Sequence, residues 1–259
     1  MIEQQSVQLS VALEEAGYTD KEATIRNIFF EVKSGQLVGL IGPNGAGKST
    51  TIKSIMSLAP YRKGEVKLGS NGETGTYAYV PEQPIYYDYF TLWEHLLLAA
   101  SVNSLAQEEF EARAQRLLEK FKLTEQKHHY PSSFSKGMQQ KLMLIIAFML
   151  KPDLYIVDEP FIGLDPQATL DFIGLLNEAR TGGAAVLMST HVLDSAERLC
   201  DSFICLHKGR IAASGDLAQL RVKAGLSSEH TLFDCFHALT SENTDAGDKM
   251  DHPQDKDVM

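Results

Sequence analysis

Residues 37–49 read LVGLIGPNGAGKS, and this stretch decides the fold. It opens with an apolar run, which is typical of a strand that is covered on both faces of a parallel sheet. It continues with the pattern GxxxxGK followed by Ser, in which glycines let backbone N–H groups turn towards an anion. A helix that begins at Lys48 would direct its positive end at the same anion. The stretch therefore predicts a strand, a phosphate-binding loop and a helix in succession, which indicates an α/β fold.

The side chains of this loop suit a nucleotide with its magnesium ion. Lys48 reaches the outer phosphates, and the hydroxyl of Ser49 is placed to ligate Mg²⁺. The sequence contains no Asn-Lys-x-Asp segment for reading guanine, so the predicted nucleotide is ATP. The predicted ATP-binding residues of the loop are Gly42, Pro43, Asn44, Gly45, Ala46, Gly47, Lys48, Ser49 and Thr50.

A second apolar run, residues 154–160 (LYIVDEP), ends in two carboxylates. Because ligands of an open parallel sheet bind at the carboxyl ends of its strands, both carboxylates are expected to lie near the phosphate-binding loop. Asp158 is predicted to hold Mg²⁺ through water, and Glu159 to orient or deprotonate the attacking water. Acidic residues after a strand also cap helices. Their pairing with the phosphate-binding loop favours the catalytic interpretation.

The remaining pattern predicts one α/β domain over residues 1–240. Apolar and polar residues alternate over residues 7–13 and again over 28–32, as in half-buried antiparallel strands. Residues 184–188 form a third buried parallel strand. Between about residue 84 and residue 150, apolar residues recur at three-to-four spacing, which predicts an inserted helical subdomain.

Composition limits the classes of function. The formal net charge is −10 and no basic stripe is present, which argues against nucleic acid as a partner. The three cysteines, Cys200, Cys205 and Cys235, are too irregularly spaced for a disulfide framework or a zinc site and indicate a reducing cytosol. Residues 241–259 are acidic and poor in apolar side chains, so a disordered tail is predicted there.

No signal peptide and no apolar run long enough for a membrane helix are apparent in the sequence. The longest apolar run, residues 142–150, is about half the length that a membrane helix needs. Any task at a membrane is therefore expected to depend on a partner protein.

Residues 134–141, FSKGMQQK, separate the classes of enzyme that share a phosphate-binding loop. They resemble the LSGGQ signature of the ABC ATPases, in the variant with Lys136 and Met138 that occurs among bacterial exporter-type members. Ser135 and Gly137 keep the small side chain and open backbone that let a helix N-terminus approach a γ-phosphate. An ordinary helix capped by Ser135 is the alternative. The position of the segment shortly before the paired carboxylates favours the signature.

Three further features are implied by this resemblance. Residues 163–165 (GLD) resemble the D-loop, with Asp165 as its acidic residue. His191 resembles the switch histidine that contacts the γ-phosphate, although a single histidine at a strand end is more often structural. Tyr18 resembles the aromatic residue that stacks on adenine, although one tyrosine in an N-terminal turn is weaker support.

Residues 79–83 (YVPEQ) resemble the Q-loop of the same family, with one departure. Glu82 stands where glutamine is usual, and Gln83 follows it. Either side chain is a candidate for approaching Mg²⁺ and the attacking water. The sequence leaves the choice between Glu82 and Gln83 open.

The resemblance covers residues 7–220 and is strongest to the Ecs-type ATPases of Gram-positive bacteria. It implies a P-loop NTPase fold with a RecA-like core, an N-terminal antiparallel β subdomain and a helical lobe. It also implies two ATPase chains, in a homodimer or a heterodimer, that enclose two ATP molecules, each site being completed by the partner's signature. The implied activity is transport, of the export type, through a separate membrane-spanning permease. The implied location is cytoplasmic, peripheral at the inner face of the cell membrane.

Two other interpretations compete with a transporter motor. A non-transport ABC ATPase that acts on a macromolecular assembly would often carry a second ATPase domain or a long coiled-coil insertion, and neither is found in this sequence. A binding module without catalysis would require damaged motifs, whereas Lys48, Asp158, Glu159 and His191 are all present. The cargo is not specified by the sequence.

Overall fold

The structure, a computed structural model, describes residues 6–19, 22–69 and 74–241. Residues 242–259 of the predicted acidic tail lie outside the described residues, and Ser241 ends the last described helix. The strands are β1 (Val7–Gly17), β2 (Ile25–Lys33), β3 (Leu37–Ile41), β4 (Tyr61–Leu68), β5 (Tyr77–Val80), β6 (Leu154–Asp158), β7 (Ala185–Thr190), β8 (Ser202–His207) and β9 (Arg210–Gly215). The α-helices are α1 (Lys48–Ile55), α2 (Leu92–Val102), α3 (Gln107–Lys120), α4 (Lys136–Leu150), α5 (Pro166–Thr181), α6 (Leu193–Leu199), α7 (Leu217–Lys223) and α8 (Leu232–Ser241).

The strands form two sheets. In the larger sheet the order is β5-β6-β7-β3-β8-β9, parallel except for the last pair. In the smaller sheet, β1 lies between β2 and β4 and is antiparallel to both. The predicted α/β fold with an antiparallel N-terminal part is therefore confirmed.

The burial of each strand follows its sequence pattern. All residues of β3, β6 and β7 are buried, as expected of strands that have cover on both faces. In β1, Leu9, Val11 and Leu13 are buried while the residues between them are partly exposed. This alternation places one face of the smaller sheet against the core and the other towards solvent.

Helices α2, α3 and α4 fall within the segment for which a helical insert is predicted, between β5 and β6. They share one apolar core, to which Leu96, Phe110 and Leu118 contribute buried side chains. Leu97, the residue after Leu96, is 40% exposed and does not face this core. One residue of a helix advances the side chain by about 100°, which turns Leu97 away from the face that Leu96 occupies.

Two helices follow the last strand of the larger sheet. Helices α7 and α8 pack with α6 against β8 and β9, where Leu220, Leu232 and Cys235 are buried. Within residues 6–19, 22–69 and 74–241, no helix combines the length and the apolar character needed to cross a membrane.

Candidate nucleotide-binding site

The predicted phosphate-binding loop lies between β3 and α1. Strand β3 ends at Ile41, and α1 begins at Lys48, as the sequence pattern predicts. Gly45 and Gly47 have φ values of 80° and 108°, in the left-handed region that favours glycine. A Cβ on Gly47 would lie 2.5 Å from Cγ2 of Ile25, whereas one on Gly45 would meet open space. The loop therefore leaves an open concave surface at the N-terminus of α1.

Lys48 is folded back into this concave surface. Its Nζ donates to the carbonyl oxygen of Gly42 at 2.8 Å and lies 3.7 Å from Oε1 of Glu159. The residue is only 7% exposed, so its charge is held among backbone dipoles and one carboxylate. An ammonium group held in this way is able to exchange these partners for the oxygens of a bound phosphate.

Asp158 is buried at the carboxyl end of β6 and is held by two neighbours. The hydroxyl of Ser189 donates to its Oδ1, and the phenol of Tyr79 is hydrogen-bonded to it as well. Burial raises the pKa of Asp158, Ser189 opposes that rise, and the carboxylates of Glu82 and Glu159 add to it. Burial, followed by the charge of Asp158, raises the pKa of Tyr79, so the phenol remains a donor.

Glu159 follows Asp158, the last residue of β6, and is hydrogen-bonded to the end of β7. Its φ is 47°, and its N–H donates to the carbonyl oxygen of Ser189 at 3.1 Å. Its Oε1 lies 2.8 Å from Nδ1 of His191, which follows β7. The carboxylate is nine-tenths buried, while the histidine ring is nearly half exposed. Lys48 and His191 therefore both lie near the same carboxylate oxygen of Glu159.

These groups surround a single cleft of about 360 Å³, which is within the range of small-molecule sites. Tyr18 and Glu82 line it, whereas Gln83 is exposed and does not. The position of Glu82 therefore favours Glu82 over Gln83 for the Q-loop role. The residues that line the cleft are Tyr18, Thr24, Pro43, Asn44, Gly45, Gly47, Lys48, Ser49, Thr50, Glu82, Asp158, Glu159 and His191.

The predicted signature and D-loop residues do not line this cleft. Ser135 caps α4, accepting a hydrogen bond from the N–H of Met138 at 3.3 Å, and Lys136 is exposed beside it. Asp165 caps α5, accepting from the N–H of Ala168 at 2.9 Å. Gly137 approaches the D-loop so closely that an added Cβ would lie 2.6 Å from the carbonyl oxygen of Gly163.

The hydrogen bonds of Asp165 perturb its titration. The ammonium group of Lys141, 2.7 Å away, and the N–H of Ala168 hold the pKa of Asp165 below its ordinary value. The carboxylate is therefore charged at neutral pH and stabilises the positive end of the α5 dipole. In this conformation Asp165 acts as a helix cap, which is the alternative to a role at a nucleotide.

Sequence reasoning missed two residues that support the site. It gave no role to Ser189 and Tyr79, which hold Asp158 from β7 and β5. Their positions carry a weak signal, since Ser189 stands two residues before His191 and Tyr79 three before Glu82. Only the register of the parallel strands, which pairs Asp158 with Ser189, brings them together.

The donor set of the cleft fits Mg²⁺ bound with a nucleotide. Ser49, Asp158 and Glu82 offer the hard oxygen ligands that Mg²⁺ prefers. Across the described ranges, no group of three or more His, Cys, Asp or Glu side chains forms a ready metal site. Mg²⁺ usually completes its coordination with substrate phosphates and water rather than with protein side chains alone, so the residues present fit this group.

Comparison with known proteins assigns the family. A family model described as ABC transporter matches residues 25–162, more than half of the chain. The chain belongs to the ABC transporter family. A domain of this family implies ATP binding and ATPase activity, which agrees with the prediction made from the phosphate-binding loop and the paired carboxylates.

Two curated ABC relatives match almost the whole chain. The chain is 48% identical to the uncharacterized ABC transporter ATP-binding protein YthP of Bacillus subtilis (strain 168), over 88% of this chain and 95% of that protein. It is 45% identical to the ABC-type transporter ATP-binding protein EcsA of the same organism, over 92% of this chain and 98% of that protein. The predicted resemblance to the Ecs-type ATPases is thus confirmed.

A solved ABC structure confirms the fold. The chain superposes on a structure described as the ATP binding subunit of an ABC transporter with a TM-score of 0.84 and 42% identity, covering 90% of this chain and 99% of that one. A nucleotide-free ATP-binding cassette from an ABC transporter, 23% identical, shares the fold with a TM-score of 0.66 over 81% of this chain and 91% of that one. The chain is therefore an ATP-binding subunit of an ABC transporter.

Proposed function

We propose that this ABC subunit binds ATP with Mg²⁺ and hydrolyses it to drive export through a separate membrane-spanning permease. The observation that carries the proposal is the convergence of Lys48, Asp158, Glu159 and His191 on one cleft at the N-terminus of α1. Acidic, basic and hydroxyl groups with distinct tasks in phosphoryl transfer meet there from three strand ends.

Each side chain has a task in hydrolysis. Lys48 leaves the carbonyl oxygen of Gly42 to bind the outer phosphates. Asp158 and Ser49 would hold Mg²⁺, which would neutralise phosphate charge when bound. Glu159 accepts a proton from, or orients, the attacking water, and His191 holds the Glu159 carboxylate through Oε1, the oxygen that also faces Lys48.

Tyr18 and Glu82 have positioning tasks at the edges of the same cleft. Tyr18 is half exposed, and its ring lies 5.3 Å from Nζ of Lys53, so one face remains available to a stacked adenine. Glu82 reaches the cleft from the segment after β5, where it can approach Mg²⁺ and the attacking water. Gln83 is exposed outside the cleft and is available for other contacts.

A second ATPase chain completes the site in this proposal. Ser135 and Gly137 lie at the start of α4, outside the cleft of their own chain. The N-terminus of α4 bears partial positive charge and has exposed residues beside it, so it suits the γ-phosphate of a nucleotide on another chain. Met138 and Lys136 belong to the same contact, and Asp165 lies beside it.

An exposed aromatic segment on the helical insert supports a protein partner. The segment comprises residues 85–89 (IYYDY), and its Ile85, Tyr87 and Tyr89 side chains are 71%, 61% and 90% exposed. Exposed clusters of large apolar side chains commonly mark protein interfaces, and tyrosine is frequent there. Because this segment follows Glu82 directly, a partner bound to it is connected to the nucleotide cleft by a few residues of backbone.

Co-purification from native membranes tests the transporter role. The tagged chain is extracted from its host in mild detergent, and its partners are identified by mass spectrometry. A polytopic membrane protein in near-stoichiometric amount supports the proposal. Recovery of soluble assembly proteins alone would favour the non-transport ABC ATPase and leave the ATPase chemistry intact.

Two sets of substitutions sharpen this experiment. Tyr87→Ser with Tyr89→Ser is expected to lose the membrane partner while the free chain keeps its ATPase rate. Leu170→Ser is the matched control, because Leu170 is 64% exposed on α5, far along the chain from the aromatic segment. Equal recovery of the permease with both variants would remove the aromatic segment from the interface.

A further inference from the structure

A second cavity lies at the end of the larger sheet opposite the nucleotide cleft. The nucleotide-binding residues follow the parallel strands, whereas this cavity is lined by residues that precede them, including Ser34 before β3, Asp153 before β6 and Ala184 before β7. Its volume is about 590 Å³, which is enough for an organic ligand the size of a nucleotide. No residue lines both cavities.

We name this space the rear cavity. Its walls come from both lobes of the chain. Helix α3 of the helical insert contributes Arg113 and Arg116, and α5 of the core contributes Glu178. An ion pair between Arg116 and Glu178 crosses from one lobe to the other. A molecule in the rear cavity therefore contacts both lobes at once.

The acidic groups of the rear cavity already have partners. Glu178 is paired with Arg116. Asp153 accepts from both the N–H and the hydroxyl of Thr76 at 2.8 Å. A ligand in the rear cavity would therefore meet carboxylates that are already ion-paired or hydrogen-bonded.

The basic groups of the rear cavity have fewer ion-pair and hydrogen-bond partners. The ammonium group of Lys151, an exposed residue at the rim of the cavity, forms no ion pair with any residue that the structure describes. Arg113 donates from Nη1 to the carbonyl oxygen of Met149 at 2.8 Å and pairs with Glu109, yet its buried Nε–H has no acceptor among the described residues. Because this Nε–H is buried, Arg113 contributes the positive charge of its guanidinium to the cavity wall, not a donor that a ligand reaches.

Tyr155 adds a second donor. It lines the rear cavity from β6, is 2% exposed, and its hydroxyl makes no hydrogen bond to the part of the chain that the structure describes. Its ring stacks on Phe148 with centroids 4.6 Å apart, giving the cavity an aromatic wall. Burial raises the pKa of Tyr155, so the phenol keeps its proton and is available to donate.

We propose that the rear cavity binds a small organic anion with an aromatic or other apolar body. Its carboxylate, sulfonate or phosphate group accepts from Lys151 and Tyr155, near the positive charge of Arg113. Its apolar body lies against Phe148, Leu117 and Leu175, which line the same space. The assignment rests on two donors without an acceptor in the described part of the chain, Lys151 and Tyr155, that line one cavity with an apolar wall.

The rear cavity lies where its ligand and the nucleotide can influence each other through the arrangement of the two lobes. The ligand contacts α3 and α4 of one lobe and α5 of the other, so it favours the arrangement of the lobes that best fits it. If bound ATP changes that arrangement, ATP and the anion must change each other's affinity by the same factor. The rear cavity is then a regulatory site for the ATPase.

The probe for this proposal is anilinonaphthalene sulfonate, an aromatic anion whose fluorescence increases in apolar surroundings. It is titrated into the full chain with the nucleotide cleft filled by excess ADP and Mg²⁺. We expect saturable binding by the wild-type chain. Loss of charge-assisted and neutral hydrogen bonds in the double variant Lys151→Met with Tyr155→Phe should weaken it at least about tenfold.

A matched control is available for the lysine. Lys122 also follows a helix in the left-handed region, with φ of 58° against 50° for Lys151, and it does not line the rear cavity. Lys122→Met should therefore keep wild-type affinity for the probe. The thermal midpoint of each variant shows whether it is folded, since neither substitution adds volume to the core.

Several results would overturn the proposal. Equal affinity of the double variant and the wild-type chain would place the probe elsewhere, as would loss of binding in Tyr87→Ser with Tyr89→Ser. Absence of saturable binding by the wild-type chain would also contradict it. Binding that depends on Lys151 and Tyr155 and is retained in Lys122→Met supports it.

Discussion

Glu159 combines an uncommon backbone conformation with strong side-chain contacts. A non-glycine residue at φ of 47° costs about 1–3 kcal/mol unless its surroundings compensate. Here the N–H is bound by the carbonyl oxygen of Ser189, and the carboxylate by His191 and Lys48. Such conformations often occur at functional sites, which agrees with the base role proposed for Glu159.

Glu159→Gln should retain ATP and lose most of its turnover. The amide keeps the size of the carboxylate but cannot accept a proton, so hydrolysis should fall by about 10²–10⁴-fold. Phosphate release gives the rate, and equilibrium binding of a fluorescent ATP analogue gives the affinity. Glu125→Gln, in the 3₁₀ turn after α3, is the surface control. Near-normal hydrolysis by Glu159→Gln would remove this residue from the base role.

Asp158→Asn should stabilise the nucleotide-free protein at neutral pH. Because burial raises the pKa of Asp158, the folded protein binds its proton more tightly than the unfolded chain does. Stability therefore falls as pH rises through the range between the ordinary pKa of 3.8 and the raised folded value. A neutral asparagine avoids this loss, and a gain of about 1 kcal/mol would raise the thermal midpoint by roughly 2–4 °C.

Thermal unfolding at a series of pH values checks this prediction. The difference between Asp158→Asn and the wild-type chain should shrink as the pH falls towards 3.8, where Asp158 is also neutral. Asp88→Asn, on an exposed loop, should show no such dependence. A midpoint for Asp158→Asn that is lower at neutral pH would show that the charged carboxylate stabilises the empty cleft.

At the scale of elements, two helix N-termini meet outside the cleft. Ser135 caps α4, Asp165 caps α5, and Lys141 of α4 reaches Asp165 at 2.7 Å. The carbonyl oxygen of Gly163 lies against Gly137. The signature and D-loop segments therefore form one packed unit, so a change in either alters the surface that we propose for the second chain.

Two glycine substitutions in helices should have opposite effects. Gly137→Ala places a Cβ 2.6 Å from the backbone oxygen of Gly163, and the resulting shift should cost about 1–3 kcal/mol and reduce ATPase activity. Gly174→Ala meets nothing within 4 Å and should stabilise α5 by about 0.5–1 kcal/mol. Urea unfolding of both variants measures the difference. Equal stability of the two would show that the close approach of α4 and the D-loop is dispensable.

At the scale of the whole molecule, the nucleotide cleft and the signature of one chain lie apart. The cleft belongs to the end of the larger sheet, whereas Ser135 begins a helix of the insert. A ligand that bridges two chains favours the associated state by its differential affinity for it. ATP is therefore expected to promote dimerisation.

Glu159→Gln with ATP and Mg²⁺ should elute as a dimer in size-exclusion chromatography with light scattering. Slow hydrolysis keeps ATP in the cleft, and the monomer should return when ATP is replaced by ADP. Lys48→Ala with Glu159→Gln, which lacks the main phosphate contact, is the control and should remain monomeric. A Glu159→Gln chain that stays monomeric with ATP bound would contradict a homodimer and require a different ATPase chain as partner.

Short contiguous motifs carried the sequence-based predictions. The buried strands and the strand, loop and helix around Lys48 depend on neighbouring residues, so their pattern is visible along the chain. Ser189 and Tyr79 were missed because each acts on Asp158 from another strand. Which of Glu82 and Gln83 lines the cleft depends on the direction of a side chain, which a motif does not contain.

The sequence by itself determined the family, the α/β fold and the predicted nucleotide chemistry, because local burial patterns and glycine-dependent turns specify them. The tertiary structure decided which side chains share the cleft, since the parallel register aligns Asp158 with Ser189. It also revealed the rear cavity, where Arg113 and Tyr155 come from two lobes that are distant along the chain. Contacts between distant segments depend on how the helices pack on the sheet. The periodicity of one segment does not show which other segments pack against it.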